Sequence, residues 1–135
     1  MKIIIEKNID VNAIIDEMGI DKESTMTYIT TRFRDYCEPF VPKSNGYIKK
    51  GLYIPPGQLR EQTKVYVESD TGYIEYIVPY ALYQYYGQRQ DGSHVVKNYT
   101  TPGTGKYWDN LMMSAVGDQY IDEIENYIGG NIKWE

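Results

Sequence analysis

Between residues 59 and 78 the chain alternates in a way that an antiparallel hairpin satisfies. Leu59, Thr63, Val65 and Val67 interleave with Arg60, Gln62, Lys64 and Tyr66, leaving one side of the segment apolar and the other wet. Ser69-Asp70-Thr71-Gly72 then reverses the chain, with Gly72 at the position that calls for positive φ. Tyr73–Val78 returns, and Pro79, which has no N–H to give a ladder, closes the strand. Such a hairpin needs a cover for its apolar face, and the flanking sequence supplies two helices.

The first runs from a cap at Asp21 to about Cys37. Met26, Ile29, Thr30, Phe33, Tyr36 and Cys37 recur at the helical period on one face, Arg32, Arg34 and Asp35 take the others, and Pro39 ends it. The second runs from about Lys106 to Ile128, but its apolar stripe breaks. Trp108, Leu111, Met112, Ala115 and Val116 share a face, whereas Tyr120, Ile121, Ile124, Tyr127 and Ile128 lie well over a quarter-turn around, with Gly117-Asp118 between. Either the helix kinks there or its second half packs on something else, such as another subunit. Lys2–Glu6 reads as an edge strand, and Asp10 to Met18 as a brief helix stopped by Gly19. Ala81–Tyr86 fits a strand or a helical turn equally. Residues 39–58, punctuated by Pro39, Pro42, Asn45-Gly46, Gly51 and Pro55-Pro56-Gly57, read as a long irregular connection, and 87–106 as a polar loop with four glycines. The prediction is an α+β fold in a single domain, residues 1–135: a small antiparallel sheet with a central hairpin, packed against an N-terminal and a C-terminal helix. No internal repeat is visible.

Composition narrows what such a domain does. A lone Cys37 excludes an internal disulfide and the multi-cysteine zinc patterns. The apolar run in MKIIIEKN is too short for a signal or a membrane span, so a soluble intracellular protein is expected. The net charge of −5 argues against a sequence-specific nucleic-acid binder. That charge is uneven: residues 25–64 carry +4 (seven basic, three acidic) and 107–135 carry −5 (one basic, six acidic). The two segments could face each other within one chain or between neighbouring copies. Fifteen of the aromatic residues are tyrosine, six of them within residues 73–86, which fits either a half-buried sheet face or a partner surface.

The residues for catalysis are missing. A nucleophile pair would have to be Cys37 with His94, yet Cys37 sits on the apolar helix face as a buried inert thiol and His94 sits in a glycine-rich loop. No nucleophile elbow exists, and Pro102-Gly103-Thr104-Gly105-Lys106 fails the phosphate-loop pattern at Thr100 and Tyr107. Asn98-Tyr99-Thr100 is a formal glycosylation sequon, read as chance. Carboxylate pairs such as Asp122 with Glu125, or Glu68 with Glu75, lie on a helix face and a hairpin rather than in a cleft. With no His or Cys cluster there is no metal site, no cofactor is expected, and the chain does not read as an enzyme.

One ordering of motifs remains. Pro39-Phe40-Val41-Pro42 follows the first helix and leads through Lys43-Ser44-Asn45 to Gly46-Tyr47-Ile48-Lys49-Lys50. After the hairpin come Pro79-Tyr80-Ala81 and Tyr85-Tyr86-Gly87, then Pro102-Gly103-Thr104-Gly105-Lys106-Tyr107-Trp108 and the last helix. This order resembles the small minor capsid proteins of tailed bacteriophages and prophages, over about residues 20–128. Phe40 stands where that family commonly has Tyr, Ile48 where it has Leu, and Gly51 where a Ser often follows. The departures bear on the subfamily.

The resemblance implies a structural virion protein of the head–tail connecting region, similar to neck and head-completion proteins. It implies an assembly made in the bacterial host cytoplasm, commonly as a homo-oligomeric ring around the portal axis, with portal, adaptor, tail or neck components as partners and no membrane. Pro42, Gly46, Pro79, Tyr80, Ala81, Tyr85, Tyr86, Gly87 and Trp108 are the motif positions and read as fold-forming. Lys49, Lys50 and Tyr53 from the basic segment, with Tyr120, Asp122, Glu125 and Tyr127 from the acidic helix, are the candidate interface. The alternative is a carbohydrate- or ligand-binding module that uses Tyr73, Tyr76, Tyr83, Tyr85 and Tyr86 as a stacking platform.

Overall fold

The computed structural model describes residues 1–6, 22–43, 47–54, 57–68, 71–78, 80–88, 91–92, 95–96, 99 and 102–130. In chain order the elements are β1 (Lys2–Glu6), α1 (Lys22–Cys37), a 3₁₀ turn (Glu38–Phe40), β2 (Tyr47–Lys49) and β3 (Leu52–Ile54). A single helical turn α2 (Gln58–Glu61), β4 (Thr63–Glu68), β5 (Thr71–Tyr76), α3 (Ala81–Tyr86) and α4 (Trp108–Gly130) follow. The fold is α+β, as the hairpin and its flanking helices require.

β5 is the middle of a three-stranded antiparallel sheet ordered β1-β5-β4, so β1 is an edge strand. The registers Ile3↔Ile74 and Val65↔Ile74 line one face, on which Gly72, Ile74 and Tyr76 are buried. α1 lies on β4 and β5 and also packs against α4. Its predicted face is the observed one: Met26, Ile29, Thr30 and Cys37 are buried, and Phe33 and Tyr36 half-buried. Cys37, Val41, Leu59, Ile74, Tyr76, Val78, Ala81, Trp108, Met112 and Tyr120 form one continuous apolar cluster.

Several expectations are corrected. Residues 39–58 are not a wholly irregular connection, because β2 and β3 pair as a short hairpin. Its two-residue turn is Lys50-Gly51, both at positive φ (51° and 78°), the primed geometry that matches strand twist. The hairpin's first strand begins at Thr63. Leu59 belongs instead to α2, where it is 2% exposed, and Arg60 from the same turn donates Nε to the Val41 carbonyl at 2.9 Å. Gly72 is not the turn residue: Glu68 pairs with Thr71, and Gly72 lies within β5 opposite Val67. Ala81–Tyr86 resolves as a helix, ended by Gly87 in the left-handed conformation (φ 73°), as its glycine stop requires.

α4 does kink, at Val116 (φ −136°), one residue before Gly117. The kink turns its second half toward α1: Tyr120 is buried and donates its hydroxyl to the Ile29 carbonyl at 2.9 Å. Before the kink only Trp108 and Met112 are fully buried. Leu111 and Ala115, expected on the same face, are exposed. The Asp10–Met18 helix, the Asp21 cap, Gly46, Pro79 and His94 lie outside the described residues.

Candidate functional site

The later motif residues Tyr85, Tyr86, Gly87 and Trp108 come together where α3 meets the start of α4. Gly87 ends α3 with its N–H on the Tyr83 carbonyl at 2.9 Å, and its own carbonyl accepts the Val96 N–H at 2.7 Å. A Cβ at Gly87 would meet the Tyr99 hydroxyl at 3.2 Å and the Lys106 stem at 3.3 Å, so glycine serves both the turn and the close approach. Tyr99 in turn donates to the Gln84 carbonyl at 2.9 Å. The returning chain is pinned twice more: Gly105 N–H reaches the Phe40 carbonyl at 3.3 Å, and Tyr107 N–H the Tyr85 carbonyl at 2.9 Å.

Trp108, fully buried, is the anchor. Its ring meets Tyr76 at 5.2 Å and Tyr85 at 4.9 Å between centroids, both edge-on. Tyr85 donates its hydroxyl to Asp109 Oδ1 at 2.8 Å, and burial together with that carboxylate pushes its ionisation upward. Among the described residues the Tyr76 hydroxyl and Trp108 Nε1 are buried without a hydrogen bond of ordinary geometry, and burial pushes the Tyr76 ionisation upward.

Outside this anchor stands a row of exposed apolar side chains. Leu82 and Tyr86, one turn apart on α3, are 40% and 49% exposed; Tyr107 and Leu111 are 37% and 36% exposed. Tyr86 and Tyr107 meet edge-on at 6.0 Å and both lean on Tyr85, at 5.1 and 5.3 Å. Lys106 Nζ lies 5.7 Å from the Tyr107 ring. Tyr107 itself is held at φ 52°, a conformation that bulky residues rarely adopt. Its carbonyl accepts the Leu111 N–H at 3.0 Å, so the strained residue starts α4 while its ring stays at the surface.

The other sequence-predicted residues fall in three groups. Pro42 and Ala81 are buried and Tyr80 is half-buried. Lys50 is exposed at the β2–β3 turn and Asp122 and Glu125 are exposed on α4; for Lys49 and Tyr53 the backbone alone is described. Tyr120, expected at an interface, is spent inside the fold, and Tyr127 stacks on Tyr28 at 3.8 Å. The basic and acidic segments do meet within the chain. Arg32 donates Nε and Nη2 to both Glu123 oxygens at 2.6 and 3.0 Å, and the Tyr28 and Tyr36 hydroxyls donate to the same carboxylate at 3.3 and 3.2 Å. The five tyrosines of the carbohydrate reading do not form one surface, because Tyr76 is buried on one face of β5 and Tyr73 lies on the other.

Leu82 and Leu111 were not foreseen as surface residues. Leu82 carries the helical i,i+4 spacing to Tyr86, a signal that appears only once Ala81–Tyr86 is taken as helix.

Among the described residues no group of His, Cys, Asp and Glu could hold a metal ion, and no helix is long and apolar enough to cross a membrane. The Cys37 thiol is buried and pushed up by that burial, the state of a packing residue. A family model described as minor capsid protein matches residues 35–126, a stretch that takes in the aromatic row and its anchor. The chain belongs to the minor capsid protein family. Membership gives this minor capsid protein a structural role in bacteriophage, in contact with other phage structural proteins of the virion. No curated protein and no solved structure matches the chain.

Proposed function

We propose that this minor capsid protein is a component of the head–tail connection that acts by protein–protein assembly and carries out no catalysis. The observation that carries the reading is the aromatic row Leu82, Tyr86, Tyr107 and Leu111, exposed on a rigid anchor and set partly by a strained backbone. Large aromatics on a preorganised support are the residues that bind partners at low entropic cost. The partners are portal, adaptor, tail or neck components, met during assembly in the host cytoplasm, and neighbouring copies of the chain in a ring. Head-to-tail contacts need two unlike surfaces per subunit. Exposed Lys50 at the β2–β3 turn, with Lys49 and Tyr53 in the strands beside it, and the acidic outer face of α4 at Asp122 and Glu125, flanked by Tyr127, are offered as that pair.

Light scattering and negative-stain imaging of the purified protein, alone and mixed with portal or adaptor, test this reading. Closed oligomers, or a complex with either partner, are expected. A chain that stays monomeric and binds no virion component at high concentration would overturn it.

A further inference from the structure

The sheet has a second face, and its pattern is self-complementary. Residues directly opposite in an antiparallel pair share a face. The register therefore sets Ile4, Tyr73 and Tyr66 in one row across the three strands, on the side away from buried Ile74. Ile4 is 53% exposed, and Tyr66 and Tyr73 stack at 5.1 Å. Toward one end of the strands the next row is Lys2, Glu75 and Lys64; toward the other, β4 carries Glu68 beside Thr71 of β5. The amines of Lys2 and Lys64 lie 5.7 and 5.5 Å from the Tyr66 ring. The face thus has a cationic end, an aromatic and aliphatic middle and, on β4, an anionic end. α1 and the core occupy the opposite side.

We propose that this open face binds a second copy of the same chain, sheet against sheet, about a two-fold axis that lies in the interface at right angles to the strands. Two such axes bring the faces together, and charge distinguishes them. An axis along the strands would set Lys2 of one copy over Lys64 of the other, like over like. An axis across the strands lays each strand antiparallel over its own copy, so Lys64 meets the second copy's Glu68 and Tyr73 meets Tyr73 near the axis. Only the second arrangement is complementary. It is the isologous geometry of most homodimers, with the sheets about 10 Å apart. Three strands spaced about 4.8 Å apart offer a small patch, so the association is concentration-dependent. It uses neither the aromatic row nor the outer face of α4, and stands independently of the ring.

Sedimentation equilibrium on the whole chain over a wide concentration range reads it. The wild type is expected to pass from monomer to dimer. Lys64→Glu and Glu68→Lys should each weaken dimerisation by about tenfold, since symmetry creates each like-charge contact twice, and the double swap should restore it. Near-UV circular dichroism checks that these exposed substitutions keep the fold. Tyr73→Cys should be joined into a covalent dimer by a short bismaleimide linker, since a direct disulfide cannot span sheets about 10 Å apart and the native Cys37 is buried. A chain that never dimerises, single swaps without effect, or a double swap that fails to restore would overturn the proposal. Larger closed oligomers that ignore both swaps would leave the ring standing and remove this interface.

Discussion

Gly72 shows how one residue can be mistaken for another kind of glycine. After Ser69-Asp70-Thr71 it looks like a turn glycine, yet it lies in β5 because α1 crosses there. A methyl at Gly72 would fall on the Thr30 hydroxyl, which is fully buried and donates to the Met26 carbonyl at 2.7 Å. Gly72→Ala is expected to cost about 1–3 kcal/mol through overpacking. Thr30→Ala should relieve part of it, so the double variant costs less than the sum of the singles by about 1 kcal/mol in urea unfolding. Two buried tyrosines make a second contrast. Tyr120 has a partner for its hydroxyl and Tyr76 has none of ordinary geometry. Tyr120→Phe should lose about 1 kcal/mol, whereas Tyr76→Phe should be neutral or slightly stabilising, because deleting an unmet buried hydroxyl removes a desolvation cost. Equal losses in the two unfolding curves would contradict this assignment.

Among the elements, α1 and the β4–β5 hairpin were legible because each carries a full period of its pattern before any tertiary contact is known. The β2–β3 hairpin was not. Its strands are three residues each, too short for alternation to register, and the Pro and Gly around them read as loop. α4 sits between: the shift of its stripe demanded a kink or a second partner, and the answer came from Tyr120 docking on α1. The contact between these helices is also where pH acts. Glu123 faces Arg32, Tyr28 and Tyr36, and the Arg32 hydrogen bonds hold its carboxyl below the usual range. A carboxyl depressed in the folded state contributes above its unfolded value of about 4.3 and loses that contribution as pH falls through the folded value. The pair is about one-third exposed, with side chains at 35% and 29%, so the effect should stay near 1 kcal/mol or less. Acid melts below about pH 4.3 should therefore destabilise the wild type more than Glu123→Gln, which is already lower at neutral pH. Parallel acid limbs for the two proteins would show the clamp carries no pH dependence.

At the scale of the whole molecule, the anchor and the row it presents should separate fold from assembly. Trp108 touches Tyr76 and Tyr85 and closes the apolar cluster, so Trp108→Ala should cost about 3–5 kcal/mol, enough to threaten a domain of this size. Tyr86 stands one residue from Tyr85 but points its ring outward at 49% exposure. Tyr86→Ala gives up edge contacts with Tyr85 and Tyr107 and little burial, so its stability should stay within about 1 kcal/mol of the wild type. The sequence placed both residues in one motif and gave no means of telling them apart, since both are aromatic and the helical phase of Ala81–Tyr86 was undecided. Incorporation reads the difference. In a phage lacking its own copy of the gene, the Trp108→Ala product should be depleted as protein, whereas Tyr86→Ala should accumulate normally and fail to enter particles. Normal particle yield with Tyr86→Ala, at wild-type protein levels, would take the aromatic row out of assembly and leave Tyr85 and Trp108 as a packing device alone.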